Sequence, residues 1–304
     1  MRTLCLVALL LGSCRTLPGP VPAPPPEPES AVVAQPMPDP AEVARAAHEG
    51  AKQKVAQLKA EADKNPLLAA WTGPYGGVPP WDKVKTDLFA AAFSAGLELQ
   101  DHEVAVITSN PAPASFDNTM VALEDLGRHV DRAQTLFSVL TSSLNTPDVQ
   151  VVDREWSPKF AAASDKITFD EKLFARLSAV HAARDKLTPE QKRLVELTYD
   201  RFVRSGAKLT AAQKAEMGRI NQELAVLFTD FGNKVLADEN TWVVLEKKDL
   251  AGLPASLVAS YKAAAAERKL PGKWLVVNTR SSVDPFLTTA SRRDLREKVW
   301  KAFK

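Results

Sequence analysis

The residues of this chain that could carry out chemistry are few and far apart. Histidine is a common metal ligand and a common acid or base, and the chain has four histidines, His48, His102, His129 and His181. Each lies in a separate predicted helix, and none has a second histidine four residues further on, as a pair of zinc ligands on one helix face requires. We therefore interpret all four as exposed or capping side chains and not as ligands.

Two further patterns resemble reaction centres but lack a required residue. His48 and Glu49 begin like the zinc pattern H-E-x-x-H, but Lys52 stands where the second histidine is needed. Acidic residues on polar helix faces are predicted to be solvated and not to act as general acids; these are Glu98, Asp101, Glu103 and the pair Glu124-Asp125. The residues themselves predict no catalytic residue and no metal ligand.

Composition and charge restrict the class of protein. The chain has 304 residues, of which 45% are hydrophobic, enough for one large core or two smaller ones. The 39 Lys and Arg residues are dispersed among 37 Asp and Glu residues, for a formal net charge of +2, so no nucleic-acid partner is expected. Both cysteines, Cys5 and Cys14, lie near the start, which leaves the body without a thiol for a disulfide or a metal site.

Residues 1–14 have the pattern of an export signal. Arg2 gives a positive start, an apolar run follows, and small residues precede Cys14. The run Leu11-Gly12-Ser13-Cys14 is similar to the lipobox of bacterial lipoproteins, in which the cysteine is lipidated; the alternative is a plain secretory peptide with an incidental cysteine. Because Arg15 replaces the aspartate of an inner-membrane retention signal, we expect a lipid anchor in the cell envelope, on the outer membrane or the periplasmic face.

The rest of the chain predicts a helical body on a tether. Residues 15–40 are crowded with proline, which favours an extended spacer. A charged helix is predicted at 41–64, and further helices at 85–109, 115–140, 149–164, 172–183 and 254–268, with the last segment, 284–304, forming the start of another. Two β-branched and aromatic runs, 241–245 and 273–278, predict strands that pair or join a sheet.

The strongest pattern is a long helical hairpin between residues 194 and 238. Gly206 can end its first helix in a left-handed conformation, and Thr210 can cap the second. Along the second helix the apolar residues recur every three or four positions, at Met217, Ile220, Leu224, Leu227, Phe231 and Val235. We interpret this stripe as a packing seam and not as a ligand site.

One stretch is more specific than periodicity. Residues 110–124 read N-P-A-P-A-S-F-D-N-T-M-V-A-L-E, which resembles the N-P-x-x-P-T-F-E-N-T-I-x-A-L-E signature of the thimet oligopeptidase, oligopeptidase A and peptidyl-dipeptidase family of zinc metallopeptidases. Further segments resemble that family in the same order, at 65–68, 79–82, 201–209, 220–224, 231–236 and 249–254. Ser115 is expected to cap the helix that follows, so these matches are typical of a scaffold.

The resemblance implies a mainly α fold, with residues 65–304 as the helical N-terminal lobe of a neurolysin-like, two-lobed metallopeptidase whose channel admits short peptides. In that family the zinc is held by the H-E-x-x-H histidines and a later glutamate, all in the second half. This chain ends before that half, so no family ligand or catalytic residue can be assigned to any position here. Three explanations fit: the sequence is a truncated or frame-shifted reading of its gene, a fragment whose catalytic half is encoded separately, or a free-standing helical protein. The unfinished last helix favours the first two.

Two functions remain open from the sequence. The first is the non-catalytic half of a zinc metallopeptidase that hydrolyses short peptides in the cell envelope, inactive alone. The alternative is a lipid-anchored helical module that binds peptides or a partner protein without hydrolysing them.

Overall fold

The computed structural model describes residues 39–304, and these form a mostly helical body. The predicted signal at 1–14, with Cys14, and the linker up to residue 38 lie outside the described residues. The elements are α1 (Pro40–Ala62), α2 (Phe89–Thr108), the short α3 (Ala122–Glu124), α4 (Arg128–Ser143), α5 (Pro147–Thr168), α6 (Glu171–Ala182), α7 (Pro189–Arg204), α8 (Ala211–Glu239), β1 (Trp242–Leu245), α9 (Ala255–Glu267), β2 (Trp274–Val277), α10 (Arg280–Thr289) and α11 (Arg293–Phe303). The prediction of a mainly α fold with a short β element near 241–278 is confirmed.

The described residues bury three hydrophobic clusters. The first lies between α1, α2, α4 and α5 and is rich in aromatic rings, with Phe93 packing against Phe137 and Trp156. The second joins the end of α2 to α6 and α7 and includes Met120 and Phe202. The third consists of residues between 243 and 303 and encloses the small sheet.

The two strands pair with each other, as one of the two sequence interpretations expected. They run antiparallel, with Trp242 opposite Val277 and Leu245 opposite Trp274. The side chains of β1 alternate between exposed and buried, so one face of the ribbon lies on the third cluster. The crossing helix α9 is fixed to α10 by Tyr261, whose hydroxyl donates to the carbonyl of Ser282 at 2.7 Å.

Two predicted single helices are broken in the structure. The predicted helix at 115–140 consists of a π-helical turn (Phe116–Val121), α3 and α4, with a break at Gly127, which has a left-handed φ of 78°. The N–H of Gly127 donates to the carboxylate of Glu103 at 2.9 Å, so a buried acid on α2 holds the break in place. The predicted helix at 284–304 is divided into α10 and α11, because Ala290 is extended and the N–H of Ser291 bonds to Ala251.

The helices of the predicted hairpin form where expected but pack differently. Gly206 has a φ of 102°, and the hydroxyl of Thr210 accepts from the N–H of Gln213, as the sequence predicted. However, the main neighbour of α7 is α6, and the main neighbour of α8 is α5. The interpretation of the apolar stripe as a packing seam is wrong, since most of its side chains are exposed.

Two helical glycines provide a matched test of the packing of α2 on α4. A Cβ at Gly96 would lie 2.8 Å from the Cβ of Val130, whereas a Cβ at Gly232 on α8 would meet no atom within 4 Å. Both changes to alanine gain about 1 kcal/mol of helix propensity. We expect Gly96→Ala to lower the free energy of unfolding by about 1–2 kcal/mol, because overpacking outweighs that gain.

The control, Gly232→Ala, is expected to raise the free energy of unfolding by about 0.5–1 kcal/mol. Urea unfolding followed by circular dichroism measures both values. If the two variants changed stability by the same amount, the close contact of α2 with α4 would be wrong.

Candidate functional site

The structure places the four histidines on four separate helices, α1, α2, α4 and α6. His48 contacts the hydroxyl of Ser109 at 3.2 Å. The buried His129 contacts the carboxylate of Asp63 at 3.2 Å and thereby ties α4 to the end of α1. The ring of His181 stacks on Tyr199, with centroids 4.0 Å apart. These contacts are structural, and they bring no two histidines together.

The acidic residues of α2 are also divided among different neighbours. Glu103 is buried and binds Lys59 of α1 at 2.9 Å, in addition to the N–H of Gly127. Asp101 binds Lys166 of α5 at 2.6 Å. The expectation that these carboxylates are solvated is therefore wrong for Glu103, which holds the helices of the first cluster together.

The signature segment at 110–124 is held by an arginine that the sequence interpretation missed. Ser115 caps the following turn, as expected, because its hydroxyl accepts from the N–H of Asn118 at 3.2 Å. The guanidinium of Arg176, on α6, donates to the carbonyls of Asn110 and Ala112 and to the side-chain oxygen of Asn118 at 2.8 Å. Burial lowers the pKa of Arg176. The segment is thus a rigid scaffold element.

The face of α8 that meets α5 is made of small and polar side chains. Ser157 and Thr229 share a hydrogen bond of 2.8 Å between their hydroxyls, and Asn221 donates to Asp165 at 2.7 Å. Arg154 forms an ion pair with Asp230 near the other end of the helix pair. Gly218 lies beside Asp165, and a Cβ at this position would meet its carboxylate at 3.6 Å, an ordinary van der Waals distance. These contacts run along most of the antiparallel pair.

A polar cleft opens beside this helix pair, between the end of α4, the start of α5 and the last turns of α8. Its volume is about 540 Å³. Amide and hydroxyl side chains dominate its lining, which includes Thr141, Asn145, Asp153, Thr229 and Asn233, with the ring of Phe228 at its edge. The sequence interpretation did not identify it. Polar residues recurring every three or four positions along α8 were the available signal.

Burial sets the electrostatics of the cleft and of its neighbourhood. Desolvation raises the pKa of Asp153 above its ordinary value of 3.8, although hydrogen bonds from Ser157 and Thr229 oppose the shift. Desolvation likewise raises the pKa of Asp165, with Asn221 opposing. The amide nitrogen of Asn145 donates to Asn233 at 3.3 Å, while its buried oxygen accepts no hydrogen bond from the described residues.

The cleft can form hydrogen bonds to an uncharged polar chain such as a peptide backbone, because it offers both amide donors and amide and hydroxyl acceptors. Within residues 39–304, no three His, Cys, Asp or Glu side chains are grouped so that they could hold a metal ion. The residues present therefore do not fit a zinc site. In the same part of the chain, no helix is long and apolar enough to span a membrane.

Comparison with known proteins agrees with the motifs. No family model matches the sequence. The chain is 34% identical to the dipeptidyl carboxypeptidase of Escherichia coli (strain K12) over 242 residues, 78% of this chain and 35% of that protein. It is 26% identical to oligopeptidase A of Escherichia coli (strain K12) over 246 residues, 79% of this chain and 35% of that protein. It is also 26% identical to a probable cytosolic oligopeptidase A of Arabidopsis thaliana over 252 residues, 79% of this chain and 35% of that protein.

The chain thus spans about a third of the length of these curated relatives. The part that it matches is their N-terminal third. The resemblance to an N-terminal portion of this peptidase family is confirmed.

The raised pKa of Asp153 predicts how stability depends on pH. A carboxyl group with a raised pKa in the folded state contributes stability below 3.8, and that contribution is lost as the pH rises through the raised pKa. We expect Asp153→Asn to be more stable than the parent chain near pH 7, because the neutral amide carries no desolvated charge. The difference should shrink as the pH falls towards 4, as urea unfolding at both pH values would measure.

Asp148, at the start of α5, provides a control of opposite sign. Hydrogen bonds from Thr146 and Thr86 lower its pKa, so its contribution to stability is present above 3.8 and is lost as the pH falls through the lowered pKa. We expect Asp148→Asn to be less stable than the parent chain near pH 7. If Asp153→Asn instead lowered the free energy of unfolding equally near pH 7 and near pH 4, the Asp153 carboxylate would serve as a hydrogen-bond partner with no net cost of burial.

Proposed function

We propose that this chain, a relative of the N-terminal third of dipeptidyl carboxypeptidase and oligopeptidase A, forms the wall of a peptide channel in a zinc peptidase that acts on short peptides. In this proposal the chain supplies shape and backbone-binding groups, while another polypeptide segment supplies the metal ligands and the catalytic base. The observation that carries it is the identity of 34% to a dipeptidyl carboxypeptidase along 78% of this chain.

The scaffold role is supported by what the signature residues do. Asn118 bonds to Ser115, to Pro113 and to Arg176, so the most specific part of the resemblance serves to fix a turn between α2 and α6. Because three neighbours hold Asn118, the backbone of this turn is kept in one conformation. This is the property needed in a channel wall, whose shape selects the substrate.

The polar cleft beside α5 and α8 is our candidate for the surface that meets the peptide. Extended peptides expose N–H and C=O groups at regular intervals, and asparagine side chains can satisfy both kinds. Asn145 and Asn233 already bond to each other at 3.3 Å, so two amide groups of the cleft are held in fixed positions. Phe228 adds an apolar contact at the edge of the cleft.

The proposal includes a place in the cell. The pattern around Cys14 supports a lipoprotein in the cell envelope, and the proline-rich residues 15–40 provide a spacer between the lipid and the body. Peptide hydrolysis at that place would act on short peptides outside the cytoplasm.

The alternative function is a lipid-anchored module that binds a peptide or a protein without catalysis. One observation favours it: Leu227 and Phe231 on α8 are more than half exposed, as in a protein-binding surface. Reading the coding sequence beyond Lys304 distinguishes the two functions. The peptidase proposal expects an H-E-x-x-H helix there, in the same or a shifted frame, or in a separate gene, and the module does not.

The first experiment measures peptide hydrolysis and zinc binding by the purified chain. We expect no cleavage of an internally quenched short peptide in the presence of zinc, and clearly less than one zinc bound per chain by elemental analysis. The dipeptidyl carboxypeptidase of Escherichia coli, assayed under the same conditions with and without chelator, is the positive control. Hydrolysis by this chain that chelator abolishes would falsify the assignment of a non-catalytic wall.

The second experiment tests the anchor through Cys14→Ser, with Cys5→Ser as the matched control. We expect the Cys14 variant to lose incorporation of radiolabelled palmitate and to move from the membrane fraction to the soluble fraction, because a thioether-linked lipid can form only at that cysteine. The Cys5 variant should keep both properties. Absence of the label from the parent chain and from both variants would support the plain secretory peptide instead.

A further inference from the structure

Among the described residues that line the polar cleft, Asp153 alone has a charged side chain. The other residues of the lining carry hydroxyl, amide or apolar side chains or are glycine. The volume of the cleft, about 540 Å³, lies within the roughly 300–1,000 Å³ of common ligand sites. A molecule that enters the cleft therefore meets one carboxylate in otherwise uncharged surroundings.

The Asp153 carboxylate is held in place by uncharged groups. It accepts a hydrogen bond from the hydroxyl of Ser157 at 3.2 Å, and the hydroxyl of Thr229 is its other partner. No lysine, arginine or histidine of residues 39–304 forms an ion pair with it. The two hydroxyls thus orient the carboxylate without neutralising its charge.

Other buried acids of this chain do have a cationic partner. Glu103 binds Lys59 at 2.9 Å, and Asp249 binds Arg292 at 3.0 Å. The burial of Asp153 is not offset in this way, and it raises the pKa of the carboxyl group because the charged form is less well solvated there than in water. A cation that entered the cleft would stabilise this charged form.

Hydroxyl groups on the α4 side of the cleft are available as acceptors. The hydroxyls of Thr141 and Ser142, which line the cleft, donate to the carbonyl of Ser138 at 3.1 and 2.6 Å. Because each hydroxyl has a single hydrogen, these bonds leave only its oxygen lone pairs for a further partner. This part of the lining therefore suits a ligand group that donates hydrogen bonds.

We propose that Asp153 binds a primary ammonium group of a short peptide, either the free N-terminus or the side chain of a lysine. An ammonium group has three N–H donors and no acceptor, so it matches a carboxylate that is accompanied by hydroxyl acceptors. The inference rests on the proposed contact of this cleft with peptides and adds which chemical group the cleft selects. Removing the ammonium should weaken binding by about 10-fold or more, because a hydrogen bond between two charged groups is stronger than one between neutral groups.

The first test measures the binding of short alanine peptides to the purified chain by the fluorescence anisotropy of an uncharged dye at the peptide C-terminus. In one pair of peptides the N-terminus is free or acetylated. In the other pair the N-terminus is acetylated and a central residue is lysine or the uncharged norleucine. We expect an ammonium peptide to bind about 10-fold or more tightly than its neutral match. The pair that shows this difference identifies the source of the ammonium.

Asp153→Asn should remove the difference, because the amide keeps the shape of the side chain and loses its charge. Asp165→Asn is the matched control and should keep the difference. Asp165 is also a desolvated acid on α5 with an amide as its hydrogen-bond partner, but it does not line the cleft. Circular dichroism verifies that both variants are folded.

Equal binding of the charged and neutral peptides by the parent chain would overturn the ammonium site and leave the proposed contact of the cleft with peptides standing. A preference for the ammonium that persisted in Asp153→Asn would overturn the site as well, because another acid would then provide the charge. If none of the peptides bound, both the ammonium site and the choice of the cleft as the peptide surface would be wrong.

The second test locates the ammonium by carbodiimide coupling, in which a carboxyl group and an amine form an amide and the elements of water that they lose convert the carbodiimide into a urea. Trypsin releases residues 133–154 as one peptide, which contains both Asp153 and the exposed Asp148. Mass-spectrometric fragmentation distinguishes the two positions. Coupling at Asp153 should saturate as the concentration of the ammonium peptide rises, whereas coupling at Asp148 should increase in proportion to it. A proportional increase at both positions would contradict a binding site at Asp153.

Discussion

The polar pairing of α5 with α8 is the constraint on which the surfaces of this protein depend. Hydroxyl, amide and ionic contacts between the two helices are directional, and breaking the hydroxyl and amide contacts would leave part-buried groups unpaired. They therefore fix the rotation of α8 about its own axis. The polar cleft and the exposure of the large apolar side chains of α8 are both consequences of that rotation.

The sequence predicted the elements far better than it predicted which faces they bury. Capping residues such as Thr210 and Ser115 act locally, so their roles could be read from neighbouring positions alone. The apolar periodicity of α8 correctly indicated a helix, but periodicity does not say whether the apolar or the polar face lies inside. That choice depends on residues of α5 more than 50 positions away, such as Asp165 and Ser157.

The missed features share the same physical cause. Gly127 breaks a predicted helix because a carboxylate on α2, Glu103, accepts its N–H, and the helix pattern alone contains no sign of that acceptor. Arg176 lies about 60 residues from the turn it holds. The polar cleft is assembled from three helices, so neither its volume nor the raised pKa of Asp153 follows from any one segment. Only the resemblance of the motifs to a known family indicated structure across such separations in the sequence. What it indicated was a scaffold.

The length of α8 has a mechanical consequence. Its 29 residues extend over about 43 Å, and it leads directly into β1, the first element of the third hydrophobic cluster. That cluster draws its side chains from residues 243–303, so it packs around a core of its own beyond the end of the helix. Because α5 holds α8 along most of its length, the helix acts as a rigid spacer between its own first turn and the small sheet.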